Sequence, residues 1–369
     1  MPYAPSELLA QDAMVKELLR PLSEFLEIPG ATEVAVNRPG EVFVEVGPDW
    51  TNHAAPELTL QRCWSLATAV ASYTGQAVDA YHPLLSAQLP AGERIQIIVP
   101  PAADRDTVSI TIRVPGESVR HLDSYRKEGF FDHYLWPCPA SLEQRRRDLR
   151  PVQRQLMTHL EQGELDRFLI LAVQSKQNIA FVGDTGCGKT SLMKAVCQFI
   201  PSEERLVTIE DVREIYLGDH PNHVHLLYSK AGQASATIDP AALIAACMRM
   251  KPDRVLLAEL RGAEAFDFLK LLTTGHSGSI TSFHAESCAL ATERYVFMCK
   301  EHEQAAIYDA DALKRLISLT LDVIVHIAVD RIADDLNTGA RKRRYVSEVY
   351  YDPVAKLTAR FGDANLVHG

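Results

Sequence analysis

The sequence lacks the cysteine spacing of a metal or redox motif. Its seven cysteines are scattered and odd in number, and no two form a Cys-x-x-Cys pair. This argues against a disulfide framework and against a structural zinc site. We therefore expect reduced cysteines, most of them buried as small apolar residues.

Long apolar runs are also missing. The longest apolar stretch lies near Leu316–Val329, where Asp322 and His326 interrupt it. It is too short and too polar to span a bilayer. Residues Met1–Ser6 carry no basic segment, and no apolar stretch follows them as it would in a signal peptide. We expect a cytosolic protein.

The chain has no excess of positive charge to offer to nucleic acid. Lys and Arg number 38 against 48 Asp and Glu, which gives a formal net charge of −10. This balance, with no interleaving of basic and aromatic residues, disfavours a helicase or a DNA-coating surface. One basic run, Arg341 to Arg344, is interpreted as a solvated turn between strands, with a nucleic-acid, lipid or partner contact as the alternative. We expect no sequence-specific binding of nucleic acid.

The patterning predicts an α+β domain over residues 1–115. Apolar residues recur at helical spacing in two places, and alternate with polar ones in three others. The predicted elements are helices at 6–26 and 60–74, a hairpin at 33–46, and strands at 93–99 and 107–113. Over residues 116–165 charge rises and no strand pattern is present, so we predict a linker with helical content.

Residues 166–369 alternate helices with short β-branched runs. This alternation is typical of an α/β domain built on a largely parallel sheet. The predicted strands are Ile179–Val182, Leu206–Ile209, Arg254–Leu257 and Ser279–Phe283. The 369-residue chain is therefore expected to contain two domains joined by a linker.

A phosphate-binding motif directly follows the first of these strands. Gly183 to Thr190 matches the pattern G-x-x-x-x-G-K-[ST]. Glycines let the backbone amides curl around an anion, and the following helix turns its positive end towards it. Lys189 would reach the β- and γ-phosphates, and the Thr190 hydroxyl would bind Mg²⁺. The predicted contact residues are Gly183, Asp184, Thr185, Gly186, Cys187, Gly188, Lys189, Thr190 and Ser191.

Two other strands end in carboxylates that could serve such a site. Glu259 follows Val255–Ala258, and a strand ending in an acid is what a P-loop needs near its metal. Arg261 follows and would either touch the γ-phosphate or pair with Glu259. Glu210 and Asp211 end another strand, where they suit metal-water binding or orientation of the attacking water. A loop-capping role in a solvated turn is the open alternative for this pair.

Histidines accompany a third strand. His276 and His284 stand on either side of it, among glycines and hydroxyls. Each is interpreted either as a core histidine with internal partners or as a sensor of the γ-phosphate. The cluster His220, His223 and His225 lacks cysteine or carboxylate partners at ligand spacing beyond Asp219, which disfavours a metal site there.

Taken together and in order, these segments resemble a known family. The P-loop, Thr208–Asp211, Leu256–Gly262 and Gly275–Ala285 are similar to the Walker A, Asp box, Walker B and His box of hexameric bacterial secretion and pilus ATPases. Three segments in the first half resemble the N-terminal domain of the VirB-eleven ATPases of type IV secretion. These are Val34–Val42, Gly92–Gln96 followed by Pro100-Pro101, and Thr111–Arg113.

The resemblance implies a fold and a set of roles. The fold would be an α+β N-terminal domain followed by a RecA-like α/β P-loop ATPase domain with a mostly parallel sheet. ATP would bind between the domains with Mg²⁺, and Arg94 and Arg113 of the first domain would approach the phosphates. Glu210 and Glu259 would share the metal and water-activating roles, in a division that position does not settle. The remaining implied catalytic residues are Lys189, Arg261, His276 and His284.

The expected function is Mg-dependent ATP hydrolysis that energises a type IV secretion system. The resemblance implies a homohexamer on the cytoplasmic face of the inner membrane, peripherally associated, with membrane-platform proteins and other secretion ATPases as partners. Two alternatives are a type II secretion or pilus-retraction motor, disfavoured by the missing tetra-cysteine insert, and a docking scaffold in which ATP orders the ring.

Overall fold

The computed structural model describes residues 5–46, 49–114, 119–138, 145–218, 220–228, 238–333 and 340–362. These residues divide into two compact units. Residues 5–114 make up most of the first unit, and residues 119–228, 239–332 and 343–362 make up the second. Each unit has a sheet and a core of its own.

The described residues of the first unit form a six-stranded antiparallel sheet with two helices. In chain order the elements are α1 Pro5–Leu26, β1 Ala31–Val36, β2 Gly40–Val46, β3 Asp49–Ala55, α2 Leu60–Tyr73, β4 Leu84–Gln88, β5 Arg94–Ile98 and β6 Ser109–Arg113. The strand order is β3-β2-β1-β6-β5-β4, and each neighbouring pair is antiparallel.

Alternation along the strands builds the core of this unit. Ile95 and Ile97 on β5 and Ile110 and Ile112 on β6 are buried, whereas the residues between them are only partly covered. Because successive strand residues face opposite sides, these isoleucines form one apolar face. That face shares a core with apolar residues of α1 and α2.

The second unit contains a seven-stranded sheet among its described residues. Its helices are α3 Leu122–Lys127, α4 Pro151–Glu161, α5 Leu165–Gln174, α6 Lys189–Cys197, α7 Pro240–Met250, α8 Glu264–Thr273, α9 Cys288–Lys300, α10 Ala310–Thr320 and α11 Pro353–Phe361. Its strands are β7 Ile179–Gly183, β8 Leu206–Glu210, β9 His223–Leu227, β10 Arg254–Leu257, β11 Ile280–Phe283, β12 Val323–Ala333 and β13 Ala340–Tyr351.

The order of these strands is β13-β12-β7-β11-β10-β8-β9. Every pairing from β12 to β9 is parallel, which confirms the predicted mostly parallel sheet. Ile179 and Phe181 of β7 face one core, with α3 to α6, and Ala180 and Val182 face another, with α7 to α10. Helices therefore cover both faces, as burial of a parallel sheet requires.

Residues 119–165 differ from the predicted linker. Their described part belongs to the second unit, where Tyr125, Phe130, Phe131 and Leu156 are buried in the same core as β7. The three aromatic rings contact one another, with centroids 4.8 to 6.1 Å apart. Such short aromatic clusters bury well without a strand or helix period, which is why the sequence pattern did not reveal them.

Six of the seven cysteines are buried and none is in a disulfide, and only Cys138 is exposed. Within the described ranges, no helix combines the length and apolar character needed to cross a bilayer.

Candidate nucleotide site

The predicted phosphate loop lies at the carboxyl end of β7, near the middle of the sheet. Gly183 ends the strand with a φ of 148°, and a Cβ there would lie 2.3 Å from the carbonyl oxygen of Ile327 and 2.8 Å from Sγ of Cys187. Only glycine permits this approach of the loop to β12. Gly188, with a φ of 103°, then turns the chain into α6.

Lys189 is the first residue of α6, and its side chain folds back over the loop. The residue is 7% exposed, and its Nζ donates to the carbonyl oxygens of Gly183, at 3.0 Å, and Asp184, at 2.8 Å. Burial lowers the pKa of the ammonium, while Cys187, Glu259 and Asp184 act in the opposite direction. A buried cation is thus held within the predicted phosphate loop.

The amino end of α6 supplies the other half of an anion site. The first N–H groups of a helix have no partner inside it, and the helix dipole makes this end partly positive. Thr190 and Ser191 occupy the first turn, the former half-buried and the latter exposed. Asp184, Thr185 and Gly186 in the loop are exposed. The loop and helix together have the geometry of a phosphate cradle.

Glu259 lies just beyond the carboxyl end of β10 and is the centre of a charged network. Its Oε2 accepts from Nε and Nη2 of Arg261, at 2.9 and 2.6 Å. Nη1 of Arg261 is 3.0 Å from Oδ2 of Asp211. Burial by itself would lower the pKa of Arg261, but Asp211 and Glu259 raise it overall, so the guanidinium stays charged.

His284 connects this network to the phosphate loop. Its Nε2 is 3.0 Å from Oε1 of Glu259, and its Nδ1 is 3.5 Å from Nζ of Lys189. Since the ammonium can only donate, Nδ1 acts as the acceptor, and the ring proton of a neutral His284 is then on Nε2, the nitrogen that lies beside Glu259. His284 therefore lies between Lys189 and Glu259, and its side chain remains 46% exposed.

Glu210 is enclosed, in contrast to Glu259. It is 0% exposed. Its Oε1 accepts from Thr208 at 2.7 Å and lies 3.0 Å from Nδ1 of His225. Its Oε2 accepts from the backbone N–H groups of Glu214 and Ile215, both at 2.7 Å. The carboxylate thus anchors the loop after β8, which differs from the expected role in binding water or metal. Its neighbour Asp211 is the residue that reaches Arg261.

The structure separates the two histidines of the His box. His284 directly follows β11, beside the phosphate loop, whereas His276 precedes that strand. Since β11 pairs in parallel with β7, with Ile280 opposite Ile179, His276 lies at the edge of the sheet opposite the loop. Its Nδ1 is 3.2 Å from Oγ1 of Thr274. Within the single chain His276 thus lies away from the loop, and its contact with the γ-phosphate stays a prediction.

Arg94 and Arg113 belong to the first unit, where they lie opposite one another on β5 and β6. Nε of Arg113 is 3.0 Å from Oε1 of Glu33. Their approach to the nucleotide stays a prediction.

The histidines near β9 bind protein groups. His225 holds Glu210, and the His220 ring lies 2.9 Å from the carbonyl oxygen of Pro201. Across the described ranges no group of three or more His, Cys, Asp and Glu is placed to hold a metal ion.

Arg344 is a residue of this site that sequence reasoning missed. It projects from β13, and its Nε donates to the carbonyl oxygen of Gly186 at 3.1 Å. The basic run that contains it was interpreted as a solvated turn. The whole run instead lies within β13, which spans Ala340–Tyr351, and no sequence pattern placed Arg344 beside the loop.

The geometry described so far defines a P-loop nucleotide site on an α/β sheet, and the comparisons with known proteins agree. The family model for Type II/IV secretion system proteins matches residues 142–357. The type IV secretion system protein VirB11 of Brucella suis is 45% identical over 346 residues, which cover 93% of this chain and 92% of the relative. The protein PtlH of Bordetella pertussis is 39% identical over 92% of this chain and 96% of its own length.

A solved structure agrees with these relatives. The crystal structure of the VirB11 ATPase from the Brucella suis type IV secretion system, in complex with sulphate, covers 93% of this chain and 99% of its own, with 45% identity and a TM-score of 0.50. The chain therefore belongs to the VirB11 family of type IV secretion ATPases. It is an ATPase that uses a P-loop.

More distant structures share the fold alone. The ATPase DotB of Legionella pneumophila has a TM-score of 0.53 at 15% identity, covering 90% of this chain and 80% of its own. The pilus retraction motor PilT with bound ADP has a TM-score of 0.54 at 15% identity, covering 93% and 85%.

Proposed function

We propose that this chain is a Mg-dependent ATP hydrolase that energises substrate transfer or pilus assembly by a type IV secretion system. It would work as a homohexameric ring in which the two units of each subunit close on nucleotide and open after hydrolysis. The observation that carries the proposal is the continuous contact from the buried Lys189 through His284 to Glu259 and Arg261.

The loop and α6 would bind the phosphates. The backbone amides of Gly183–Thr190 and the amino end of α6 would bind the β-phosphate. Lys189 now donates to two loop carbonyls, and phosphate oxygens would replace these as stronger, charged acceptors. The side chains of Asp184 and Ser191 lie at the exposed mouth of the same loop.

The donor set at this edge fits Mg²⁺. The Thr190 hydroxyl and the Glu259 carboxylate are oxygen donors of the kind Mg²⁺ prefers, with phosphate and water completing its shell. Glu210 is less suited, because both of its oxygens accept hydrogen bonds within the protein. When bound, Mg²⁺ would neutralise charge on the β- and γ-phosphates.

The remaining residues would position and stabilise charge, since phosphoryl transfer asks for little covalent chemistry. His284, whose Nε2 lies 3.0 Å from Oε1 of Glu259, presents Nδ1 to Lys189 and would sense the γ-phosphate. Arg261 holds Glu259 and Asp211 together. Glu210 would act through the loop that it anchors, which carries Asp211 towards Arg261.

The wider setting follows from the family. Arg94 and Arg113 would approach the phosphates from the first unit of the fold. The ring would associate peripherally with the cytoplasmic face of the inner membrane, where platform proteins and other secretion ATPases are its partners. We expect no sequence-specific nucleic-acid binding.

Replacement of the P-loop lysine tests this function. We expect Lys189→Ala to abolish ATP turnover, because the buried ammonium is lost, while ring assembly measured by light scattering survives. Lys194→Ala is the matched control, since Lys194 lies in the last turn of the same helix, and it should keep wild-type turnover. Retained turnover in Lys189→Ala would overturn the site assignment. An assembled wild-type ring without turnover would favour a scaffold.

A further inference from the structure

Arg344 covers the outer side of the phosphate loop. Its Nε donates to the Gly186 carbonyl oxygen at 3.1 Å, and its Cδ lies 3.9 Å from the position that a Cβ of Gly188 would take. The side chain therefore crosses the two glycines that shape the cradle. Since a trans peptide directs its C=O and N–H to opposite sides, a bond to this carbonyl fixes the orientation of the Gly186–Cys187 peptide.

The position is electrostatically unusual. Arg344 adds a positive charge beside the amino end of α6, which is already partly positive and carries Lys189 in its first turn. Without a ligand this arrangement weakly opposes folding, although solvent screens an exposed guanidinium. When a polyphosphate is bound, the charge of Arg344 becomes stabilising, because the cation then faces an anion.

Arg344 also lies within electrostatic reach of Tyr125 on α3. Burial raises the pKa of the Tyr125 phenol to about 12, and the positive charges of Arg120 and Arg344 oppose that rise. The helix α3 in turn contacts α6, so Arg344 lies where β13, α3 and the phosphate loop meet.

Resting on the function proposed above, we infer that Arg344 is a positioning residue of the nucleotide site. It orients the Gly186–Cys187 peptide and so prepares the loop to bind the β-phosphate of a nucleoside di- or triphosphate. The residue acts through the loop backbone and through its charge. It thereby connects β13, the last strand along the chain, to the binding of nucleotide at the site.

Its neighbour on the strand offers a matched control. Arg343 and Arg344 face opposite sides of β13, as successive strand residues do. The Arg343 guanidinium carbon lies 5.6 Å from the ring centre of Tyr345, so its removal takes away a similar side chain from the same strand and the opposite face.

The experiment compares Arg344→Ala, Arg343→Ala and Lys189→Ala in the full-length protein. ADP binding is measured by calorimetry, and hydrogen exchange is followed in a peptide spanning the loop. We expect Arg344→Ala to raise the dissociation constant for ADP about fivefold, the scale of one exposed charge-assisted hydrogen bond. Exchange in the loop of the nucleotide-free protein should quicken, and Arg343→Ala should change neither quantity.

The outcomes separate this inference from the proposed function. If Arg344→Ala keeps wild-type ADP binding and loop exchange while Lys189→Ala binds ADP more weakly, only the role of Arg344 is overturned. Wild-type ADP binding in Lys189→Ala would overturn the nucleotide site itself. If Arg344→Ala does not fold, Arg344→Met keeps the apolar stem over Gly188, removes the donors and the charge, and carries the same expectations.

Discussion

The carboxyl ends of β8 and β10 look alike in sequence and differ in structure. Each is a buried strand with a glutamate at or just beyond its carboxyl end, and the two strands pair in parallel within one sheet. Glu210 is wholly enclosed and fully bonded to groups of its own loop and of β9. Glu259 reaches a histidine and an arginine beside the phosphate loop. The same residue type thus meets two different environments.

The difference shows what separates a structural carboxylate from a candidate catalytic one. A buried carboxylate is stabilised when every lone pair meets a donor, and backbone N–H donors fix it in one orientation. Glu259 has side-chain partners that reach solvent instead, the exposed His284 and the partly exposed Arg261. Partners of this kind can rearrange around a ligand, whereas the donors of Glu210 cannot move without the loop.

The largest expected effect is at the β10 end. Glu259→Gln should lower ATP turnover about 100-fold, the upper range seen when a group supporting a metal is altered. The thermal midpoint should stay near wild type, because the amide can still bond to Arg261. Glu286→Gln, which alters an exposed carboxylate two residues beyond His284, is the control and should behave as wild type. Full turnover in Glu259→Gln would contradict the assignment.

At the β8 end the expected effect is on stability. Glu210→Gln replaces an acceptor by an NH₂ group that faces donors, so at least one buried donor loses its partner. We expect the free energy of unfolding to fall by about 2 kcal/mol, the cost of such a group, as measured by denaturant titration. Turnover per folded molecule should change less than in Glu259→Gln. Unchanged stability together with lost turnover would reverse the two roles.

The smallest effect in this comparison concerns the histidines. His284→Ala removes the link between Glu259 and Lys189 and should reduce turnover about tenfold, less than a general acid–base contributes. His276→Ala, at the opposite edge of the sheet, should leave the turnover of the isolated protein near wild type. Steady-state kinetics of both variants checks this, and an equal loss in the two would show that His276 reaches the site by a route outside the single chain.

Much of this arrangement was predictable because it is local in sequence. The strands ending near Glu210 and Glu259 were predicted to within one residue, since each is a short run of apolar or β-branched residues. The phosphate loop was equally easy to predict from the sequence, because its glycines, lysine and following helix are contiguous. The position of His284 beside the loop also agrees with the order of the motifs.

The remaining features depend on contacts between distant parts of the chain. Glu210 is enclosed by His225 and by the folding of its own loop, which no strand pattern reveals. His276 and His284 were predicted on either side of a strand, yet only the parallel pairing with β7 decides which of them meets the loop. Arg344 lies far from Gly186 along the chain, so its contact becomes visible only once β13 is placed in the sheet.

The division between the two glutamates is tested most directly by a structure of the assembled protein with ADP, aluminium fluoride and Mg²⁺, which together mimic phosphoryl transfer. We predict that Glu259 will face the metal and its water, and that Glu210 will keep its bonds to the N–H groups of Glu214 and Ile215. A Glu210 carboxylate released from those two groups and turned towards the fluoride would contradict the proposed division of roles.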